Sequence, residues 1–586
     1  SMNLPSWRNT VNDYYVFDSD LNRYVNRIPE GAEYLQERSY SKGWVFKNTL
    51  NWDKTLGDHD LTLFAGAEVS RRFSESLLNR KFGYDKQTTN FLPINEVDLT
   101  SYRITNWNGQ AFTRYYDRLI FNIDNQDNRF VSGFSNLAYT YDDKYTLNGS
   151  FRIDQANIYG SNPDFRYKPL WSVGGAWNIH NEAFAEYYQW LDRLKLRATY
   201  GLGGNTINNA SPFPTARNRN INWGNPYITL VLSQPGNPDL KWEETATTNL
   251  GLDFAFLNNR ISGSFDYYFK KSTDVYTALR LDPTVGFASS NVNYADIDNK
   301  GVEFVLNADL IRTSDFNWSV RANFNVNKNE LVTYNATSSP SVDGFTSGGS
   351  AYEEGRPIRG IYGYNFAGLD ENGEVLLYDG EGNTKSWRES VEFDELVYKG
   401  SGIPTNYGGL STRLAYKGFD LTVNMNYQSG FYFKKSFNYA SVGYGAGNNV
   451  DYDFSNIRLH EIWADRWMQP GDEAFTNVPK VFYNGLNPNT GEIENRFDTA
   501  AMHRIWNQST NAIHKGDYIR VQDIILGYSL PANTLQSTFF KSLRFTAQVS
   551  NPFLFVANDL GLDPVAPDTE AFTNLTRYTF GIRANF

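Results

Sequence analysis

The stretch that decides the fold runs from Asn237 to Val275, NPDLKWEETATTNLGLDFAFLNNRISGSFDYYFKKSTDV. Its second half places Ile261, Gly263, Phe265, Tyr267 and Phe269 on one side of an extended chain and Ser262, Ser264, Asp266, Tyr268 and Lys270 on the other. The first half alternates in the same way, and the two are separated by Leu257–Arg260, where two asparagines tolerate a tight turn. The pattern predicts two paired strands of about 11 residues, the length that a tilted strand needs to cross a bilayer. Strands of soluble sandwiches are usually shorter, about 5–6 residues, so we interpret the stretch as a hairpin of a membrane β-barrel.

Composition agrees with a barrel that has a polar interior. The chain of 586 residues is 16% aromatic, yet its mean hydropathy is −0.53, and no apolar run reaches the 18 or so residues of a membrane helix. Abundant aromatic residues with low overall hydropathy are typical of an outer-membrane barrel with a polar lumen and wet loops. A large secreted all-β protein, such as a propeller or a lectin, is the alternative that composition alone leaves open.

Charge and cysteine content exclude some functions. The net charge is −11 and no basic stripe is visible, which argues against a nucleic-acid partner. Cysteine is absent, so disulfides and thiolate metal sites are excluded. Residues 1–4 carry no signal peptide, and we expect the given sequence to begin downstream of the true start of its gene.

Strand-like alternation recurs about fifteen times along the chain. Short connections, such as Asp142–Lys144 and Lys417–Gly418, alternate with long ones, among them residues 70–130, 328–404 and 430–515. This is the pattern of barrels with short periplasmic turns and long extracellular loops. Residues 181–193 are predicted to include a helical turn through Phe184 and Trp190.

The odd strand count predicts where the chain ends lie. The last strand follows a long loop, so we expect the C-terminus to be periplasmic and the first strand to start outside the cell. Residues 1–42 are then an extracellular loop or segment that joins to a missing front part, and residues 43–586 are the rear part of a larger barrel with long extracellular loops.

Several blocks resemble one family in its own order. They are WLDRLKLRATYGLGGN at Trp190–Asn205, NPDLKWE at Asn237–Glu243 with DYYFKKSTD at Asp266–Asp274, NKGVEF at Asn299–Phe304, GDYIRVQDIILGYSLP at Gly516–Pro531 and GLDP at Gly561–Pro564. Together they resemble the SusC/RagA-type TonB-dependent outer-membrane transporters of Bacteroidota, from about Trp44 to Phe586.

The resemblance implies the following expectations. The fold is an all-β transmembrane antiparallel barrel of about 22 strands with a plugged lumen, of which about 15 are present here. The partners are a missing N-terminal plug-bearing segment, TonB acting through that segment, a SusD-like surface lipoprotein over the long loops, and outer-membrane lipid. The activity is active import of an oligosaccharide or a peptide, with no cofactor.

No constellation of catalytic or metal-binding residues is apparent. None of the five histidines, His59, His180, His460, His503 and His514, has a partner at the spacing of a zinc motif. The acidic stretches Asp370–Glu374 and Asp379–Asn383 lack the spacing of a twelve-residue calcium loop and are interpreted as turns. We predict no enzyme.

Candidate substrate contacts fall into two groups. Trp223, Tyr227 and Tyr444 lie in Asn/Gly-rich segments expected outside the cell, where aromatic rings can stack on sugars or clamp peptides. Packing within loops or contact with a lid protein is the alternative for them. Asp266, Asn317, Arg321 and Asn323 alternate with apolar residues and are predicted to line the lumen. The terminal Phe586 resembles the assembly signal of outer-membrane barrels, and an aromatic girdle residue is the alternative.

Two other functions stay open from the sequence. If residues 1–42 supply a sixteenth strand, the chain could close by itself into a passive porin. Alternatively, the barrel could serve as a scaffold within a larger outer-membrane complex.

Overall fold

A single antiparallel sheet of 15 strands dominates the structure, a computed structural model. The structure describes residues 15–18, 22–26, 28–29, 31–94, 102–105, 111–114, 121–157, 168–205, 212–219, 229–287, 289–334, 341–347, 351–435, 437, 461–480, 496–566 and 575–586. Each strand of the sheet pairs with its neighbours in chain order, and the first and last strands each pair on one side. The predicted all-β fold and the count of about fifteen strands are confirmed.

The strands of the sheet are numbered in chain order. They are β1 Ala32–Leu56, β2 His59–Tyr84, β3 Phe121–Tyr141, β4 Tyr145–Ala156, β5 Lys168–Asn178, β6 Leu191–Asn205, β7 Glu243–Phe256, β8 Ile261–Arg280, β9 Ser289–Arg312, β10 Phe316–Thr333, β11 Asn406–Tyr416, β12 Phe419–Ser429, β13 Tyr518–Ser529, β14 Ser542–Val556 and β15 Arg577–Asn585.

The hairpin of β7 and β8 has the predicted register. Phe256 faces Ile261 across the turn, and Leu250 faces Tyr267. Leu257, Asn258 and Asn259 have φ near +58°, the left-handed region that tight turns use. The chain therefore reverses where the sequence predicts.

Several strands are longer than the sequence predicts. The stretch 70–130, interpreted as one long connection, contains the end of β2 up to Tyr84 and the start of β3 at Phe121. At about 3.3 Å per residue, the 26 residues of β2 span about 85 Å. That is far more than a bilayer requires, so the outer end of β2 lies beyond the lipid. Neighbouring residues rather than lipid cover it there, Phe82 being 1% exposed, and strict alternation is no longer required.

The sheet has one apolar and one polar face. Tyr267 pairs with Leu250 on β7 and with Val302 on β9, and Val302 pairs with Val326 on β10, which keeps these side chains on one side. Leu250 and Tyr267 are exposed. A continuous exposed apolar face of this kind suits contact with lipid rather than with water.

Smaller elements lie outside the sheet. Paired strands are Tyr15–Asp18 with Arg23–Asn26, Tyr102–Thr105 with Ala111–Arg114, Thr215–Arg219 with Thr229–Gln234, Gly360–Tyr364 with Leu396–Ser401, Tyr432–Lys434 with Ile513–Lys515, and the three strands Phe366–Leu369, Val375–Tyr378 and Thr384–Ser386. The α-helices are α1 Val342–Thr346, α2 Arg496–Asn507 and α3 Ala532–Leu535. Single 3-10 turns are Ile179–Asn181, Ala185–Tyr187, Pro283–Val285, Phe393–Glu395, Glu461–Asp465, Asp472–Ala474 and Thr510–Ala512. Among the described residues no helix is both long and apolar enough to span a membrane.

Two long connections fold together into what we call the loop domain, the described residues of 341–405 and 430–517. They share one buried hydrophobic cluster. Its fully or nearly buried members are Tyr364, Leu369, Val375, Leu377, Trp387, Phe437, Trp463, Trp467, Val478, Met502 and Trp506. Because the cluster draws on both connections, neither of them is a free loop.

Candidate functional site

The polar face carries an arginine clamp that spans three strands. Gly251 on β7 faces Arg197 on β6 and Asp266 on β8. The guanidinium of Arg197 donates to both carboxylate oxygens of Asp253 at 3.0 Å and to those of Asp266 at 3.1 and 3.2 Å. A Cβ on residue 251 would lie 2.6 Å from Cζ of Arg197. Glycine therefore makes room for the guanidinium, which joins the three strands.

A second clamp repeats this arrangement on β12, β13 and β14. Arg544 donates to Asp420 from Nη1 at 2.7 Å and from Nη2 at 2.9 Å. The guanidinium lies over Gly527, where a Cβ would come 2.7 Å from Oδ1 of Asp420. Both clamps lie toward the short turns, so charges at that end of the polar face are largely neutralised within the wall.

The residues predicted to line the lumen share the polar face but do not form one cluster. Asp266 is held in the first clamp by Arg197. Asn317, Arg321 and Asn323 lie on β10, two strands away from β8 along the sheet, and all three are exposed. Arg321 faces Asn307 and Ser411 and forms no ion pair within the described part of the chain. Its guanidinium is therefore available to a ligand.

A depression of about 620 Å³ lies in the polar face nearer the first strands. Phe64 and Phe134 line it with ring centroids 5.5 Å apart. Nζ of Lys47 lies 4.8 Å from the Phe134 ring and Cζ of Arg152 lies 5.7 Å from it. Lys47 is already paired with Glu68 at 3.9 Å and Arg152 with Asp154 at 2.8 Å, so the depression offers an aromatic surface rather than free positive charge. This depression is not predicted from the sequence, although two phenylalanines at positions otherwise filled by polar residues were a usable signal.

The loop domain is held together by buried polar contacts as well as by its apolar core. Indole Nε1 of Trp506 donates to the carbonyl of Asn477 at 2.8 Å. Glu374 forms ion pairs with Lys480, at 3.3 Å, and with Arg388. The imidazole of His503 donates from Nε2 to the carbonyl of Lys480 at 2.9 Å, and burial lowers the pKa of this imidazole to about 4. The Glu374–Lys480 ion pair bridges the two connections, and the other contacts tie each connection to itself around the shared core.

The two acidic stretches of this domain cap their own turns. The Asp370 carboxylate accepts the backbone N–H groups of Asn372 and Glu374. The Asp379 carboxylate accepts those of Glu381 and Asn383. Within the described residues, no group of three or more His, Asp or Glu side chains is arranged to hold a metal ion.

Of the remaining predicted residues, three lie outside the described part of the chain and one, Phe586, lies within it. Trp223, Tyr227 and Tyr444 lie outside the described residues. Phe586 is 68% exposed, and its ring stacks on Phe539 with centroids 5.6 Å apart and an interplanar angle of 4°. The terminal residue thus belongs to an aromatic cluster with Phe539 and Phe540 at the short-turn end of the sheet.

Sequence comparison identifies the class of protein that this sheet represents. The family described as "TonB dependent receptor-like, beta-barrel" matches residues 3–551, and the chain belongs to that family. Its members are outer-membrane transporters and receptors rather than a family of enzymes, which agrees with the predicted outer-membrane location.

Individual relatives show which members of this family the chain is similar to. TonB-dependent receptor P26 of Formosa agariphila is 25% identical over 541 residues, covering 89% of this chain and 49% of the relative. TonB-dependent receptor SusC of Bacteroides thetaiotaomicron is 25% identical over 602 residues, covering 98% of this chain and 51% of the relative. The solved structure of the RagAB peptide transporter superposes with a TM-score of 0.72 at 23% identity, over 94% of this chain and 56% of that one. The predicted SusC/RagA-type barrel is confirmed, and the chain spans about half the length of the curated relatives that it matches.

Proposed function

We propose that this chain forms the C-terminal part of the barrel of a SusC-like active importer of oligosaccharides or peptides, energised through TonB. The observation that carries the proposal is the open sheet: among the described strands, β1 and β15 each have one unpaired edge. In a bilayer every backbone N–H and C=O group must be bonded, so open edges require further strands. A front segment with strands and a plug would close the barrel and fill it.

The loop domain is the surface on which we place a SusD-like lipoprotein. It is a packed unit built from two connections, so it offers a fixed docking face above the sheet. RagAB is described as a peptide transporter. A lipoprotein lid on the loop domain would let this chain receive peptides or oligosaccharides. In this orientation the long loops would be extracellular and the C-terminus periplasmic. Of the segment 1–42 expected to join the front part, residues 32–42 belong to β1, so the residues before Ala32 would lead into the front segment.

The substrate would pass along the polar face. Exposed Arg321 and Asn323 would contact it directly. Asp266 would act with Arg197 as a fixed charged pair. Trp223, Tyr227 and Tyr444 would contribute aromatic contacts from the loops. A guanidinium without a partner carboxylate suits a carboxylate or several hydroxyls on the substrate.

Mass measurement and N-terminal sequencing of every polypeptide in the purified outer-membrane complex test the proposal. We expect a plug-bearing chain with the remaining strands, together with a lipoprotein, and we expect uptake to stop when TonB is deleted. A stable barrel made by this chain alone, with an open lumen and uptake independent of TonB, would establish the porin instead. Co-purification with assembly or secretion subunits and no uptake defect on deletion would establish the scaffold.

A further inference from the structure

On β2 and β3 the apolar face of the sheet ends at arginines on the side away from the short turns. On β2 its band runs from Leu61 to Val69, and the next residue on that face is Arg71. On β3 the residue beyond Val131 on the same face is Arg129, which faces Arg71 directly. Arg71 follows His59 by about 12 residues, which is about 40 Å of strand and, at a tilt near 45°, about 28 Å of depth. This matches a hydrocarbon core of about 30 Å, so both arginines reach the headgroup level.

The two arginines converge on one carboxylate. Arg71 donates to Asp127 from Nε at 2.8 Å and from Nη2 at 3.0 Å. Arg129 donates to Oδ2 of the same carboxylate from Nε at 3.1 Å and from Nη2 at 2.6 Å. The side chains of Arg71 and Arg129 are 43% and 61% exposed, whereas that of Asp127 is 26% exposed. The Asp127 carboxylate fixes the planes of both guanidinium groups, but its single negative charge balances only one of their two positive charges.

Neighbouring residues add charge and an aromatic surface. Lys42 on β1 lies in the same cross-strand row as Asp127, with Phe73 between them. Its Nζ lies 5.3 Å from the Tyr40 ring. Trp44 faces Arg71 directly and is 53% exposed. A basic group bordered by tyrosine and tryptophan is typical of the boundary between hydrocarbon and headgroups.

A second place on the sheet carries two facing positive charges at the same level. Lys300 on β9 and Lys328 on β10 face each other directly, just beyond Val302 and Val326 on the apolar face. Both are exposed, and neither forms an ion pair within the described part of the chain. Like charges directly opposite each other destabilise a sheet unless an anion lies between them. Lys300 also lies about 12 residues from its short turn, at the depth of Arg71.

We propose that Lys42, Arg71 and Arg129 form a binding site for the phosphate groups of a membrane lipid headgroup, in the leaflet on the long-loop side. Guanidinium forks match phosphate oxygens in a bidentate manner, and Asp127 orders both forks before the ligand arrives, which lowers the entropic cost of binding. Within the described residues, Nη1 of each arginine is free of hydrogen bonds and can donate to the phosphate. The apolar band directly below holds the acyl chains, so a lipid gains contacts that a free phosphate does not.

Native mass spectrometry of the whole purified complex tests this site. The complex is incubated with phosphatidylcholine vesicles that contain diphosphorylated lipid A, or lipid A from which the phosphates have been removed, and is then washed in detergent. We expect the wild type to retain the phosphorylated lipid about tenfold better, the effect of a single charge-assisted contact pair. Inorganic phosphate is added in a separate arm, and it should not displace the lipid at millimolar concentration.

The variants distinguish lipid binding at this site from a general effect of surface charge. R71Q/R129Q should lose the preference for the phosphorylated lipid, and K42Q, which leaves the arginine–Asp127 contacts in place, should lose part of it. R72Q is the matched control, since Arg72 lies one residue away on the opposite face, opposite Gly43. Retention by R71Q/R129Q and K42Q at the level of the wild type would overturn the proposal, as would equal loss in R72Q. Displacement by inorganic phosphate would show a site for a free anion rather than for a lipid.

Discussion

The guanidinium of Arg197 occupies the space above Gly251 that any other side chain would fill, with Cζ only 2.6 Å from the position of a Cβ. The hydrogen bonds of Arg197 to Asp253 and Asp266 exist because residue 251 has no side chain. A glycine in the middle of a strand is ordinarily a weakness, and here it is the condition for a cross-strand ion network.

The variant G251A should therefore destabilise the barrel. The added methyl group displaces Arg197, and at least one carboxylate loses its partner in a low-dielectric wall, which costs about 1–3 kcal/mol. The midpoint of urea unfolding in detergent would measure this loss. G203A is the control, because the nearest atom to a Cβ there is 3.8 Å away. Equal midpoints for G251A and the wild type would show that Arg197 can move without loss.

Replacement of Arg321 should impair uptake without affecting folding. The side chain is exposed, lies on the polar face and has no ion-pair partner among the described residues. R321Q removes the charge, which we expect to raise the KM of uptake about tenfold, the value of a hydrogen bond to a charged group. R321K keeps the charge but loses the planar fork, and should fall in between. Uptake by R321Q equal to that of the wild type would remove Arg321 from the substrate path.

The loop domain should lose stability in mild acid because of His503. In the unfolded chain its imidazole binds a proton below about pH 6.5, whereas burial lowers the pKa in the folded chain to about 4. The unfolded state thus gains a proton first, so stability is complete above pH 6.5 and falls by about 3 kcal/mol as the pH drops to 4.

Tryptophan fluorescence during denaturation can follow this change, since the ring of Trp463 lies 5.1 Å from that of His503. H503Q keeps a donor for the Lys480 carbonyl but does not titrate, so it should flatten the pH dependence between 6.5 and 4. A slope unchanged in H503Q would assign the acid sensitivity to other groups.

Removal of Phe586 should separate an assembly role from a packing role. Its ring stacks on Phe539, a contact worth about 0.5–1.5 kcal/mol. F539A removes that contact but leaves the terminal residue in place. We expect deletion of Phe586 to reduce the amount of assembled barrel in the outer membrane severalfold, and F539A to leave it near the wild-type level. Equal losses in both variants would show that the terminal ring acts only by packing.

The sequence was sufficient to predict the parts of the strands that lie within the membrane, but not their extensions beyond it. Leu250 and Tyr267 were assigned to the correct face because a lipid-facing strand must alternate strictly. The extension of β2 to Tyr84 was missed because lipid no longer constrains either face there. Asp266 was correctly predicted to lie on the polar face. Its ion pair with Arg197, however, depends on the register of β6, β7 and β8, which the alternation within a single strand does not reveal.

The loop domain was missed for a related reason. Trp463 and Trp506 lie in segments without period-2 alternation and are about 40 residues apart, yet their rings are 5.5 Å apart in one buried cluster. Their burial depends on Tyr364 and Val375 from the other connection. Contacts between distant irregular segments produce no periodic pattern in the sequence. The tryptophans in these long connections were therefore the only indication of a buried core.

The shared core of the loop domain constrains how specificity can diversify in this family branch. Residues 341–405 and 430–517 each contribute part of one apolar interior, so neither can be exchanged for the corresponding loop of a relative without leaving an unfilled or overfilled interface. The two connections must therefore be inherited and engineered as a pair. A chimera that transfers both should fold, whereas a chimera that transfers either one should expose Trp506 or Val375 to solvent and be cleaved by proteases at the outer surface.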